Sequence, residues 1–128
     1  MKLLLDTHTF IWWDSEPERL SPQALRLCQD PDNSLLLSVA SLWEMQIKLQ
    51  LGKLRLALPL TQIVESQQQT NQIEILPIAM QHVFALDNLP CPHKDPFDRL
   101  LIAQAIAEEA AIVTGDKMFA EYPINVAW

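Results

Sequence analysis

The sequence predicts an α/β fold of three layers, α/β/α, built on a parallel sheet. Two observations carry this. Four short apolar runs, residues 2–5, 35–38, 73–76 and 111–114, are separated by stretches with helical patterning and caps. The runs at 2–5 and 35–38 do not alternate polar with apolar, which is the mark of strands buried on both faces. Strands that alternate with helices imply crossover connections, and right-handed crossovers cover both faces of a parallel sheet. The chain has 128 residues, 49% of them hydrophobic, enough for one sizeable core and one domain over residues 1–128.

The elements follow in order. Lys2-Leu3-Leu4-Leu5 is the first strand, closed by Asp6. Thr7 to Asp14 reads as a short helix with Phe10, Ile11, Trp12 and Trp13 as its apolar body. Ser21-Pro22 opens the next helix, serine capping and proline taking the first helical position, and Pro31 stops it near Asp30. Residues 35–38 form the second strand. A helix from Val39 to Leu51 follows, with Leu42, Trp43, Met45, Ile47, Leu49 and Leu51 as a broad buried face and Gly52 as its C-terminal cap. Pro59 opens a helix through the glutamine-rich segment to Thr70. Residues 73–76 form the third strand, and Ala79 to Leu86 a helix whose His82 is expected on the surface. Asn88 to Pro96 is a proline-rich loop, and Phe97 to Glu109 a strongly patterned helix. Residues 111–114 form the fourth strand. Lys117 to Glu121 is a short helix, and Ile124 to Ala127 a last edge strand.

Composition excludes several functions. No apolar run approaches the ~18 residues that span a bilayer, and Asp6 cuts the N-terminal run too early for a signal peptide. A cytoplasmic protein without membrane contact is expected. Two cysteines, Cys28 and Cys91, make neither a disulfide framework nor a zinc pattern and read as idle thiols. Only two glycines, Gly52 and Gly115, leave no glycine-rich phosphate cradle. The net charge of −7 argues against tight nonspecific nucleic-acid binding. A metal-filled acidic site would relieve part of it. Lys48, Lys53 and Arg55, with Lys94 and Arg99, could still form a basic stripe.

Four acids stand where an apolar run ends or a helix begins: Asp6, Glu44, Asp98 and Asp116. In open parallel sheets, ligands bind outside the carboxyl ends of the strands near a switch in strand order. Four carboxylates gathered there repel one another unless a cation sits among them, and Mg²⁺ or Mn²⁺ suits an all-oxygen ligand set. Each acid also has a plain structural reading. Asp6 and Asp116 could cap the helices that follow. Ser41-x-x-Glu44 is a capping-box pattern, and Asp95-Pro96-Phe97-Asp98 a cap signature. His8 and His93 flank two of the acids and are candidates for the site. Trp43 reads as core, whereas adjacent Trp12 and Trp13 cannot both be buried equally on one helix, so one is expected to face a partner.

Leu5-Asp6-Thr7-His8, the segment Ser38-Val39-Ala40-Ser41-Leu42-Trp43-Glu44 with Lys48 and Leu51-Gly52-Lys53-Leu54, the block His93 to Ala105, and Val113-Thr114-Gly115-Asp116 together resemble a PIN-domain nuclease. The branch they resemble is the VapC-type toxins of bacterial toxin–antitoxin pairs. The resemblance spans nearly the whole chain, with His93 to Ala105 its most specific part. It implies a sheet in strand order 3-2-1-4-5. It also implies that Asp6, Glu44, Asp98 and Asp116 are catalytic and bind the metal, supported by Thr7, Thr114, Asp95 and His93. The implied activity is a Mg²⁺- or Mn²⁺-dependent endoribonuclease that hydrolyses RNA by metal-activated water. The implied partners are a cognate antitoxin and a second copy of the chain in a homodimer. Two other classes stay open at this point: a non-catalytic binding or scaffold module of the same fold, and a receiver-type phosphoacceptor domain. The latter has adjacent N-terminal acids, which Asp6-Thr7-His8 lacks.

Overall fold

A computed structural model describes residues 1–90 and 95–128. The expectations for His93, Lys94 and Cys91 fall outside the described residues. Five strands, β1 (Lys2–Leu5), β2 (Ser34–Ser38), β3 (Glu74–Leu76), β4 (Ala111–Val113) and β5 (Val126–Ala127), form one sheet in order β3-β2-β1-β4-β5. Every pairing is parallel. The helices are α1 (Thr7–Ser15), α2 (Pro22–Gln29), α3 (Val39–Gln50), α4 (Leu60–Asn71), α5 (Met80–Ala85) and α6 (Pro96–Glu108). Single 3-10 turns lie at Pro17–Arg19, Leu86–Asn88 and Lys117–Glu121. Fold class and strand order are those the sequence implied. Element ends shift by one or two residues, most at the last strand, which is only two residues long.

Side chains alternate across a strand, so a run of leucines serves two cores at once. Leu3, Leu5, Leu35 and Leu37 point into one core, where Phe10 of α1, Ala24 and Cys28 of α2, Met45 of α3 and Ile63 of α4 close over them. Leu4, Leu36 and Ile112 point into the other, against Leu101, Ile102 and Ala105 of α6. This is the physical content of three layers. Burial pushes the Cys28 thiol up to about 11, so it stays a neutral apolar group.

Two side chains reverse their expected places. Trp43 is 58% exposed rather than in the core. Its ring meets Phe97 of α6 edge-on at 5.1 Å. His82 is buried, not on the surface: its Nδ1 accepts the Ala79 amide at 2.9 Å and lies 3.4 Å from Gln104 Nε2, while its Nε2 makes no hydrogen bond among the described residues and sits 3.6 Å from Glu108 Oε2. Gln104 is itself buried, accepting from Ser38 Oγ and donating to the Pro77 carbonyl.

The helix ends carry their own chemistry. Gly52, at φ +72°, closes α3 in a Schellman motif, with Lys53 N–H donating to the Lys48 carbonyl and Gly52 N–H to that of Leu49. Glu109 closes α6 in the same way at φ 54°, a left-handed conformation that disfavours a residue with a Cβ. Its charge also opposes the negative end of the helix dipole. Glu109→Gly is therefore expected to stabilise the fold by about 1 kcal/mol after the added flexibility of the unfolded chain is deducted. A thermal melt checks this, and a lower midpoint would show that Glu109 makes a compensating contact.

Candidate active site

The strand order places a switch point beside β1. The chain leaves β1 toward β2 and β3, then returns to β4 on the opposite side. A crevice opens between the carboxyl ends of β1 and β4, where such folds bind ligands. Leu5 pairs with Val113 in register, so the next residues, Asp6 and Thr114, meet across the gap. The Asp6 amide donates to the Val113 carbonyl at 3.2 Å. The Thr114 hydroxyl donates to Asp6 Oδ2 at 2.8 Å and accepts the Asp116 amide at 3.1 Å. One threonine thus ties both aspartates to the strand ends. Asp6 and Asp116 line one cavity of about 590 Å³ with His8, Trp12, Arg19 and Trp128.

Asp6 is not used as a cap. It stands at the N-cap of α1 but makes no side-chain capping bond. Burial raises its carboxyl above the usual carboxylate range, and the nearby charge of Glu44 adds to the rise. The Thr114 hydroxyl, His8 and the Thr7 amide oppose it without cancelling it. A buried carboxylate with a raised pKa at a strand end is a functional-site signature.

Glu44 reaches the same edge from the second turn of α3. The capping box suggested by Ser41 and Glu44 does not form, because α3 starts earlier: Ser38 is the cap, accepting the Ala40 amide at 3.0 Å. Glu44 is freed from that role and is buried. Thr7 Oγ1 lies 2.9 Å from both Glu44 Oε1 and Ser41 Oγ. A hydroxyl has one proton, so Thr7 donates to the carboxylate and accepts from Ser41. Lys48 Nζ donates to Glu44 Oε2 at 2.8 Å, one turn further along. Ser41 and Lys48 are thus partners of the site that the acidic pattern alone did not single out.

Asp95 and Asp116 do cap. Asp95 Oδ1 accepts the amides of Phe97 and Asp98 at 2.9 and 3.2 Å. Asp116 Oδ1 accepts the Met118 amide at 3.0 Å, while its side chain stays exposed. Asp98 is half-buried in the first turn of α6. The basic stripe is partly realised: His8, Arg19, Lys48, Lys53 and Arg55 line a second groove that also touches Trp12. Arg99 is not in it. Its guanidinium instead donates to the carbonyls of Pro90 and Leu86 and to the Tyr122 hydroxyl.

Among the described residues, no three of His, Cys, Asp and Glu stand close enough to share a metal ion. The donor chemistry is that of a hard-cation site: carboxylate oxygens supported by threonine hydroxyls. Lys48 engages Glu44 Oε2, and the Met118 amide engages Asp116 Oδ1.

Residues 3–125 match the PIN domain family. The chain belongs to that family. This PIN domain is 31% identical over 117 residues to ribonuclease VapC22 of Mycobacterium tuberculosis, across 90% of this chain and 87% of that protein. It superposes on VapBC2 from Rickettsia felis, solved bound to a DNA fragment from their promoter, with a TM-score of 0.73. That match covers 99% of this chain and 98% of the other, at 19% identity. DNA-bound VapBC from Salmonella typhimurium gives 0.70 over 99% and 97%, at 17% identity. At such identities the structural matches speak for the fold alone.

Proposed function

We propose that this PIN domain is a Mg²⁺- or Mn²⁺-dependent endoribonuclease and the toxin half of a toxin–antitoxin pair. The observation that carries the reading is Asp6. Its buried carboxylate serves no helix cap, is shared through Thr114 with Asp116, and opens with Asp116 onto one cavity. VapC22, the relative at 31% identity, bears the name ribonuclease.

Asp6, Asp98 and Asp116 would hold the ion, with Glu44 binding directly or through water. Such an ion supplies Lewis acidity that makes water nucleophilic at neutral pH and offsets charge building at the phosphorus. The chain's own groups do the rest. Thr114 fixes the orientation of Asp6, and Thr7 that of Glu44. Lys48 balances the Glu44 charge. A bound cation favours the ionised form of Asp6, opposing the effect of burial. Among the described residues, no cysteine, serine or lysine lines the cavity, which suits direct attack by water.

An antitoxin partner draws support from a similar fold solved as a toxin–antitoxin complex from Klebsiella pneumoniae. Phe10 and Met45 are buried in the core and offer no surface to it. Trp43, Met80 and Phe84 are among the large apolar side chains left exposed. RNA incubated with the protein is expected to be cut in Mg²⁺ or Mn²⁺ and left intact in EDTA. The melting temperature should rise with either ion, by mass action on the folded state. Binding of RNA or antitoxin without any cleavage would favour a scaffold module. Undiminished cleavage in EDTA would overturn the metal dependence.

A further inference from the structure

The cavity at Asp6 and the basic groove are separate concavities that share three residues: His8, Trp12 and Arg19. Trp12 stands at their junction. Its ring lies 6.2 Å from that of Trp128, tilted by 56°, and 6.0 Å from that of His8. The Arg19 guanidinium sits 4.5 Å above its centroid. Trp128 packs so closely on Gly115 that a Cβ there would come within 2.8 Å of the indole, which anchors this wall directly beside Asp116. Trp12 is also packed against the core, so the platform is stiff. Beyond the junction the groove carries Lys53 and Arg55, exposed and, among the described residues, without a carboxylate partner. Glu16 is the acid that lines it, and Arg19 reaches it through an exposed pair of 3.4 Å, a weak tether.

Aromatic rings interleaved with cations along a groove are how proteins hold unstacked bases and the backbone between them. We propose that Trp12, flanked by Trp128 and Arg19, is a base-stacking subsite for one nucleotide adjacent to the cut. Lys53 and Arg55 contact the phosphates leading away from it. The proposal rests on the ribonuclease reading and adds the residues that position the strand and weight the choice of cutting site. Arg19 either slides off the indole or stacks on the far side of the base, and its weak tether permits both.

The test uses unstructured decaribonucleotides cut by the wild type, with an abasic site placed in turn at each nucleotide flanking the cut. One position is expected to raise KM by roughly 5- to 150-fold, the range for losing one stacked base. Trp12→Ala should raise KM for the intact decamer by a similar factor and be indifferent to the abasic site. Trp12→Phe should restore the sensitivity, which a merely structural role would not predict. Fluorescence anisotropy of labelled decamers in EDTA reads the same coupling without cleavage, and a thermal melt shows whether each variant is folded. Lys53→Ala with Arg55→Ala should flatten the salt dependence of binding. Cleavage with an abasic penalty that is equal in wild type and Trp12→Ala overturns the stacking subsite alone. A wild type that neither cuts nor binds any decamer overturns the ribonuclease reading and the subsite with it.

Discussion

Asp6→Asn is expected to lower cleavage by at least about 100-fold while making the metal-free protein more stable at neutral pH. The first figure is a lower bound, because removing groups that merely orient a metal ligand already costs 10- to 100-fold. The second effect follows from burial. Asp6 carries a raised pKa, with desolvation the largest cause and Glu44 adding to it. A carboxyl that holds its proton more tightly when folded than when unfolded stabilises the fold only at low pH. That contribution is present below the unfolded value of about 3.9 and is lost as pH rises through the folded value. At neutral pH the wild type therefore bears a buried charge that asparagine lacks. Asparagine Oδ1 can still accept from Thr114 Oγ1, so the link between β1 and β4 persists. Denaturant midpoints measured across the acid-to-neutral range check the sign. The wild type should lose stability relative to the variant as pH rises, and Mg²⁺ should recover it in the wild type alone. An asparagine variant that still cuts, or that is less stable at neutral pH, would remove Asp6 from the centre of the site.

The second large effect separates two aspartates three residues apart. Asp95 precedes Pro96, which keeps it out of helical geometry, and its carboxylate accepts two amides at the start of α6. Asp95→Ala should cost about 0.5–2 kcal/mol and leave measurable cleavage. Asp98 lies inside the first turn of α6, where the helix dipole favours its charge by about 0.3–1 kcal/mol. Asp98→Asn should abolish cleavage. Paired melts and single-turnover rates distinguish the two. Equal, complete loss of activity in both would make Asp95 part of the site, and full activity in Asp98→Asn would remove Asp98 from it.

Much of this was legible in the chain. Leucine runs too apolar for a one-sided strand announced a sheet covered on both faces. Proline and serine at helix starts, and Gly52 after α3, marked the ends. The motif around Asp6, Glu44, Asp98 and Asp116 named the family. The roles of the acids divided only in three dimensions. Asp95 and Asp116 do cap, as their sequence signatures allow, whereas Asp6 and Glu44 do not. Two serines, Ser38 and Ser41, could each have capped α3, and the choice fell to Ser38 because β2 ends there in extended geometry.

Local pattern by itself determined the fold class, the strands, most helix boundaries and the acidic residues worth watching, because burial on two faces and capping are short-range demands. What surrounds each side chain was decided only by the tertiary structure. His82 is drawn inside by the Ala79 amide and Gln104, and Trp43 is left outside against Phe97. Arg99 is taken up by the carbonyls of Pro90 and Leu86. Trp128 comes to lie beside Trp12 across more than a hundred residues of chain. A polar or aromatic side chain goes where its partners are, and those partners come from distant segments that only the strand order brings together.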